Sequence, residues 1–352
     1  MAYISFQPKD NFNTKLYTGN GSTNAITGVG FQPDFVWQKS RSNGEGHGLF
    51  DVLRGVTNRI QSNTNGATSS QAGSLTAFGS DGFTVGGSPN NDAANGNGQT
   101  FASWNWKANG AGSSNTDGSI TSTVSANTTS GFSIVKYSGN SNSTSTIGHG
   151  LGVAPSLVMI KNLGQTEEWV VGVNAGSLDF TQYAYLNLNN AFSGNAAAFF
   201  NNTNPSSNLI YIGNSGTVNG GSSYEHIAYC FSNIQGFSKI GSYIGNGSTD
   251  GTFVYTGFSP AIIIAKKTSG TGDWIIWDNK RDGYNETIKR LYPNEAAAEE
   301  SSTTQGVDFI SNGFKLRGTN SNAWNASGGT YIYMAFAEEP LVSSNGVPAT
   351  AR

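Results

Sequence analysis

Phe132-Ser133-Ile134-Val135-Lys136-Tyr137-Ser138-Gly139-Asn140 decides the fold, because the chain writes it three times. The other versions are Phe12-Asn13-Thr14-Lys15-Leu16-Tyr17-Thr18-Gly19-Asn20 and Phe237-Ser238-Lys239-Ile240-Gly241-Ser242-Tyr243-Ile244-Gly245-Asn246. Each is a strand-length run that ends in tyrosine and passes into a Gly/Asn turn. A proline follows each one, at Pro33, Pro155 and Pro260, and an apolar strand closed by Lys39, Lys161 or Lys266 comes next. Proline suits a strand start, where its missing N–H breaks no ladder bond.

Further out, Trp169 and Trp274 stand at one offset from their prolines, and Asp51 and Asp278 at another. Arg54 and Arg281 follow those aspartates at plus three, and the second copy lacks the pair. Ile60 with Asn63, Leu186 with Asn189 and Leu291 with Asn294 also recur. Asp81-Gly82 and Asn312-Gly313 sit between apolar runs and predict hairpins. Each copy closes on an aromatic strand, containing Trp104 and Trp106, Tyr229 and Phe231, or Tyr331 and Tyr333.

Seven or so short strands per copy, parted by Gly/Asn/Ser turns, predict an all-β fold. The expected architecture is three tandem antiparallel β-sandwich modules of jelly-roll type, with an Ig-like topology as the alternative. Boundaries fall at residues 1–108, 130–235 and 236–342, with a Gly/Ser/Thr-rich linker at 109–129 and a tail at 343–352. The linker composition predicts a flexible tether, although Ile120 and Val124 would let part of it pair as an edge strand. The short turn at Asn233-Ile234-Gln235-Gly236 predicts that modules two and three move together while module one is freer. Residues 295–300, Glu-Ala-Ala-Ala-Glu-Glu, are the one helix candidate, a turn or two at most.

Composition narrows the function. Only 12% of the 352 residues are charged and the formal net charge is −3. No Lys/Arg run exists, so nucleic-acid binding has no electrostatic footprint. The longest apolar runs, such as Ala261-Ile262-Ile263-Ile264-Ala265, are far below a membrane span of roughly 20 residues. The opening residues lack the pattern of a signal peptide, which predicts synthesis in a cytoplasm. Cys230, the one cysteine, lies in an apolar run and reads as a small buried hydrophobe.

No catalytic constellation stands out. His47, His149 and His226 occupy non-matching positions, no serine sits in a Gly-x-Ser-x-Gly elbow, and close Cys/His spacing is missing. No cofactor and no metal is expected. Asp273 and Asp278 are five apart on one strand and point to opposite faces, and Glu167 and Glu168 diverge as neighbours. Loops at Asp81-Gly82 and Asn90-Asn91-Asp92 read as Asx-type turns ahead of calcium sites. The recurring Asp/Arg pairs read as structural pins, and the recurring Trp169 and Trp274 as core. Trp277 and Trp324 have no counterparts, which makes them candidate ligand or assembly contacts. Tyr3 and Phe6 in the N-terminal arm are candidates for docking on a partner, as is the stretch from Pro340 to Arg352.

Met1-Ala2-Tyr3-Ile4-Ser5-Phe6-Gln7-Pro8, Phe31-Gln32-Pro33-Asp34-Phe35-Val36-Trp37-Gln38-Lys39, Asp51-Val52-Leu53-Arg54-Gly55, Gly150-Leu151-Gly152-Val153-Ala154-Pro155 and Ala335-Phe336-Ala337-Glu338-Glu339-Pro340 carry a family resemblance. The chain resembles tandem sandwich domains of unknown function in virion proteins of tailed phages, marine and cyanobacterial ones above all. These look similar to laminin-G and concanavalin-type jelly rolls, which implies glycan recognition. The resemblance implies a non-enzymatic virion surface protein: a tail fibre, a fibre adaptor or a capsid decoration. It further implies other virion proteins as partners, a homo-oligomer with a trimer favoured, and host surface glycan as a ligand. Nucleic acid and membrane insertion are not expected. A lectin-like receptor-binding protein is the alternative, and a glycan-degrading tailspike a remote one. The missing Asp/Arg pair of module two means that no single site carries across all three.

Overall fold

The computed structural model describes residues 6–87, 92–318 and 323–340. The chain is almost wholly β, in antiparallel sheets. Helix among the described residues is limited to a 3-10 turn at Pro8–Asp10 and short pieces at Asp92–Asn95, Ala197–Phe200 and Gly216–Asn219. Residues 295–300 form no helix.

Each copy of the repeat builds the same inner sheet. In the first segment the spatial order is Phe12–Thr18, Thr100–Trp106, Phe35–Ser40, Gly48–Asp51. The third repeats it with Ser238–Ile244, Thr330–Phe336, Ile262–Lys267 and Trp274–Asp278. The second has Phe132–Ser138, Glu225–Phe231, Leu157–Asn162 and Val170–Val173 in the same order, extended on both sides. The closing strand of each copy thus lies between two neighbours and is covered on both faces. That position is why these strands are nearly continuously apolar and aromatic. Smaller outer sheets lie over each inner one. They pair Asn24–Thr27 with Gly82–Val85, Ser145–Gly148 with Leu209–Ile212, and Phe253–Tyr255 with Gly313–Leu316.

The two expected hairpins form, pairing Gly79 with Gly82 and Ile310 with Gly313. Gly82 starts the returning strand at φ +145, where a Cβ would stand 2.0 Å from the Ile26 carbonyl oxygen.

The inner faces of all three sheets meet in one core. Phe35 lies 4.4 Å from Tyr229 between ring centroids, Trp106 lies 5.5 Å from Phe336, and Phe231 lies 5.6 Å from Phe336. The outer faces keep separate clusters around Phe83, Phe180 and Phe309. The expectation of a freer first module is therefore corrected, since its sheet supplies Phe12, Phe35, Trp37, Trp104 and Trp106 to the shared core. Pulling it away would expose large aromatic surfaces at roughly 25 cal/mol per Å².

The flexible linker at 109–129 is corrected as well. Ser122–Asn127 pairs antiparallel with Phe132–Ser138, and Ser113–Asn115 pairs with Ser122–Asn127 in turn. Ile120, Val124 and Ser125 are buried. Small neutral residues read as a tether, but here they let a strand lie close against an existing sheet edge.

The Tyr-x-Gly-Asn turns explain why the repeat keeps those residues. Tyr17, Tyr137 and Tyr243 donate their hydroxyls to the carbonyls of Ala94, Val218 and Trp324 at 2.8, 2.6 and 2.9 Å. The amides of Asn20, Asn140 and Asn246 donate to the side-chain oxygens of Asn95, Asn219 and Asn325 at 3.0, 2.8 and 3.0 Å. A Cβ on Gly19, Gly139 or Gly245 would fall 2.2, 1.7 or 2.4 Å from a backbone oxygen. Asn219 also donates to Asn142 and Gly213 carbonyls at 2.8 and 2.9 Å while fully buried. Asn219→Ala is expected to cost about 1–3 kcal/mol, the penalty for orphaning buried polar groups. Urea unfolding measures it, and a midpoint equal to that of the parent chain would refute this account of the turn.

Candidate functional site

Most of the residues that sequence reading singled out for chemistry lie inside the protein and bind its segments together. Asp51 accepts from the Leu53 and Arg54 amides at 3.0 and 2.9 Å and from Arg54 Nε at 2.5 Å. The Tyr229 hydroxyl, from the second segment, donates to the same carboxylate at 2.6 Å. Asp278 accepts from the Lys280 and Arg281 amides at 3.0 Å each and from Arg281 Nε at 2.6 Å. Its cross-segment donor is Trp104 Nε1 of the first segment, at 3.1 Å. The pinning role expected for both pairs holds, with a reach beyond their own loops. In the second segment Val173 takes the aspartate position, and the residue equivalent to Tyr229 and Trp104 is Met334, which has no donor. Both belong to the central core.

A second ring of contacts follows the same cycle. Trp169 Nε1 donates to the Gln61 carbonyl at 2.8 Å, and Trp274 Nε1 to the Tyr185 carbonyl at 2.9 Å. His47 stands at the equivalent position in the first segment, and its Nε2 bonds the Tyr292 carbonyl at 2.8 Å. Trp37 Nε1 donates to His47 Nδ1 at 2.8 Å, which assigns the neutral ring with hydrogen on Nε2. Burial holds its pKa well below the ordinary histidine value. Burial likewise lowers His149 and His226. Cys230 is buried and its thiol is pushed up to about 12, so it is unfit as a thiolate nucleophile. Among the described residues no group of three His, Cys, Asp or Glu is placed to hold a metal ion, and no helix is long and apolar enough to cross a membrane.

Trp277 and Trp324 do not face solvent. Both are buried, and their rings pack 4.6 Å apart in the outer core of the third segment. Register explains why they lack counterparts. Trp277 is equivalent to Phe50 and to Gly172. At Gly172 the space is filled by Phe180 and Phe200 from elsewhere in the segment. One outer core is thus filled by a tryptophan pair where another uses a glycine and two phenylalanines, and loss of recurrence marks a volume exchange. Tyr3 lies outside the described residues. Phe6 is partly buried, with its ring 5.1 Å from Phe237, and it lines an apolar cavity of about 410 Å³ with Pro8, Ile234, Gly257 and Pro340.

The surface features that remain concentrate on the third segment. Phe253, Tyr255 and Tyr284 are the large aromatics exposed among the described residues, Tyr284 at 74%. Asn285, next to Tyr284, brackets Phe309, accepting from its amide at 2.9 Å and donating to its carbonyl at 2.7 Å. Glu286 then lines an open polar cavity of about 500 Å³ with Asp250, Asp308, Thr303 and Arg317. Arg317 Nε pairs with Asp308 at 2.6 Å, and its Nη1 lies 3.8 Å from Asp250. Burial, then the charge of Asp308, raises the Glu286 pKa above its usual value. This arrangement offers acceptors and one guanidinium to a hydroxyl-rich ligand. Sequence reading missed it, because Asp250, Glu286 and Arg317 come from separate loops and strands. Asp273 precedes the Trp274–Asp278 strand rather than lying in it and accepts from Asn294 Nδ2 at 2.8 Å, while Asp278 is in its clamp.

The family model described as Domain of unknown function (DUF7483) matches residues 7–340. No curated protein and no solved structure matches the chain.

Proposed function

The chain belongs to the DUF7483 family, a domain of unknown function, and we propose that it is a non-enzymatic structural protein of a phage particle surface: a tail fibre, a fibre adaptor or a capsid decoration. The observation that carries this reading is the placement of Phe253, Tyr255 and Tyr284. They project from one segment of a ring whose core is shared by all three. A body of this kind holds shape and presents a contact surface at a fixed angle, and side-chain chemistry is spent on internal latches. The sequence resemblance to virion proteins of tailed phages points the same way. Association as a symmetric trimer and attachment through the apolar cavity beside Phe6 belong to the same reading. Imaging of intact particles with this chain labelled or removed tests it. A label on the particle surface is the expected result, and particles that lack the chain would end the reading.

The polar cavity favours a second reading, a lectin-like receptor-binding protein. Sugar rings stack on exposed aromatics; the exposed Tyr284 directly precedes Asn285 and Glu286 in the chain, and those two line the cavity with carboxylates and an arginine suited to sugar hydroxyls. Equilibrium binding to a broad glycan panel is then expected to give a ligand at better than about 1 mM, some 4 kcal/mol of binding. Tyr284→Ala is expected to weaken it at least about tenfold, given the roughly 1.4 kcal/mol per decade. Silence across the panel would remove the glycan reading and leave the structural one standing.

A further inference from the structure

The seam between the third and first segments is filled by an ionic cluster. Glu299 accepts from Arg41 Nη2 at 2.9 Å and from Arg281 Nη1 at 3.2 Å, while Arg281 Nε stays on Asp278 at 2.6 Å. One guanidinium thus serves two carboxylates. The seam between the first and second segments follows the same plan, with Arg54 on Asp51 as Arg281 is on Asp278. The Glu299 amide donates to the Arg41 carbonyl at 2.8 Å, and the Thr68 amide to the Leu163 carbonyl at 2.9 Å. The ladders agree, since Arg290 pairs with Glu300 and Arg59 with Ser69. Thr68 therefore stands where the other seam has Glu299, and Leu163 where it has Arg41.

Both replacements are shorter and uncharged, and they leave space. A cavity of about 350 Å³ is lined by Arg54, Thr68 and Leu163 together with Lys136, Ser223 and Glu225. The Arg54 side chain is buried, and Asp51 is its one carboxylate among the described residues. Its Nη1 donates to the Asn58 carbonyl at 2.5 Å and carries a second hydrogen. Thr68 Oγ1 is buried without a hydrogen-bond partner among the described residues. Lys136 and Glu225 replace the Leu16 and Thr100 of the first segment, and they pair at 2.9 Å with Glu225 half exposed. A second cavity of about 280 Å³ shares these two residues.

We propose that this cavity binds a sugar acid, whose carboxylate meets Arg54 and Lys136 as the Glu299 carboxylate meets Arg281 and Arg41. A charge-assisted bond to a buried guanidinium is roughly twice as strong as a neutral one. Glu225 is exposed enough to give up Lys136, and with Ser223 it then faces the hydroxyls of the ligand. A bare carboxylate would fill little of the space, which is of the size that holds a small organic molecule. The adjoining cavity gives room for a second ring. This site is separate from the cavity at Glu286, and it stands or falls independently of both readings above.

Isothermal titration calorimetry of the full chain at fixed ionic strength tests it, with D-glucuronate, D-galacturonate, N-acetylneuraminate and neutral D-glucose as probes. At least one acid is expected to bind with a Kd below about 1 mM, and glucose at least about tenfold more weakly. The double variant Thr68→Glu with Leu163→Arg copies the Glu299 and Arg41 pair into the seam. It should keep the urea midpoint of the parent chain and bind the same acid at least about tenfold more weakly. No saturable binding of any of the three acids overturns the inference. Equal affinity for glucose, or an unchanged affinity in the double variant, overturns it too. If the double variant does not fold, Lys136→Ala takes its place, because a pair this exposed contributes little stability. An unchanged affinity there has the same consequence.

Discussion

Asp278→Ala is expected to lower the unfolding free energy by about 3–5 kcal/mol, the range for removing one partner of a buried ion pair. The carboxylate is fully buried, and so is the guanidinium of Arg281 that it faces. Alanine leaves that guanidinium with the Ile276 carbonyl at 2.8 Å and with Glu299, itself shared with Arg41. It also takes away the acceptor of Trp104 Nε1 and of two loop amides. Asp51→Ala should behave alike, through Arg54 and Tyr229. The second segment indicates what an apolar version looks like, with Val173 facing the Met334 side of the core. The double change Asp278→Val with Arg281→Met is accordingly expected to cost less than Asp278→Ala alone, because no charge is then buried unpaired. Urea unfolding at pH 7 with an unchanged m-value gives the comparison. Losses under about 1 kcal/mol for both alanine variants would show that these latches hold little.

The repeat made the inner sheets legible, and the reason is physical. Pro33, Pro155 and Pro260 open strands of the same register, and Lys39, Lys161 and Lys266 close them from the same buried position. Recurrence of Asp51 and Asp278 was likewise sound evidence of a structural role. What a repeat does not encode is the partner in another copy. Tyr229 and Trp104 are unlike each other in sequence, yet they fill equivalent donor positions, and only the packed ring reveals it. The same blindness misread Trp277, since a side chain whose volume is exchanged against Phe180 and Phe200 leaves no repeating letter. The stretch 109–129 was misread for a related reason. Its Ser and Thr residues satisfy an edge through their backbone, and composition reports side chains only. The cavity at Glu286 was invisible because its residues come from five separate stretches of chain.

Stability is expected to rise between about pH 8 and pH 10, an unusual direction for a protein with a mildly acidic composition. Lys39, Lys161 and Lys266 are fully buried, and burial lowers each pKa from 10.5 to about 8. In the unfolded chain they keep their protons to about 10.4. Over that window the unfolded state holds more protons than the folded one, so raising the pH favours folding. At full slope each lysine contributes about 1.4 kcal/mol per pH unit. The neutral amine keeps two donors, enough for the carbonyls of Ser40 and Asn43 around Lys39, and for those of Asn189 and Lys267 around Lys266. Lys161 has three carbonyl acceptors, at 3.1, 3.0 and 2.8 Å, and gives up one on losing its proton. The tyrosines set the upper limit. Burial raises the pKa of Tyr137, Tyr229 and Tyr243 well above the ordinary value, so above about pH 10 the unfolded chain sheds protons first and stability falls. The histidines set the lower slope. His47, His149 and His226 are depressed in the fold, so stability is lost as pH drops below about 6.5, where the unfolded chain protonates first. Urea midpoints measured from pH 5 to pH 11 should therefore peak near pH 9–10, about where the lysine and tyrosine effects cross. Each single Lys→Met change should remove about a third of the alkaline rise, since the three positions are equivalent and none of the three lysines is among the charges that shift another. A flat or falling midpoint between pH 8 and pH 10 would mean that the carbonyl cages hold the three lysines as ammonium ions, and that burial here leaves their protons in place.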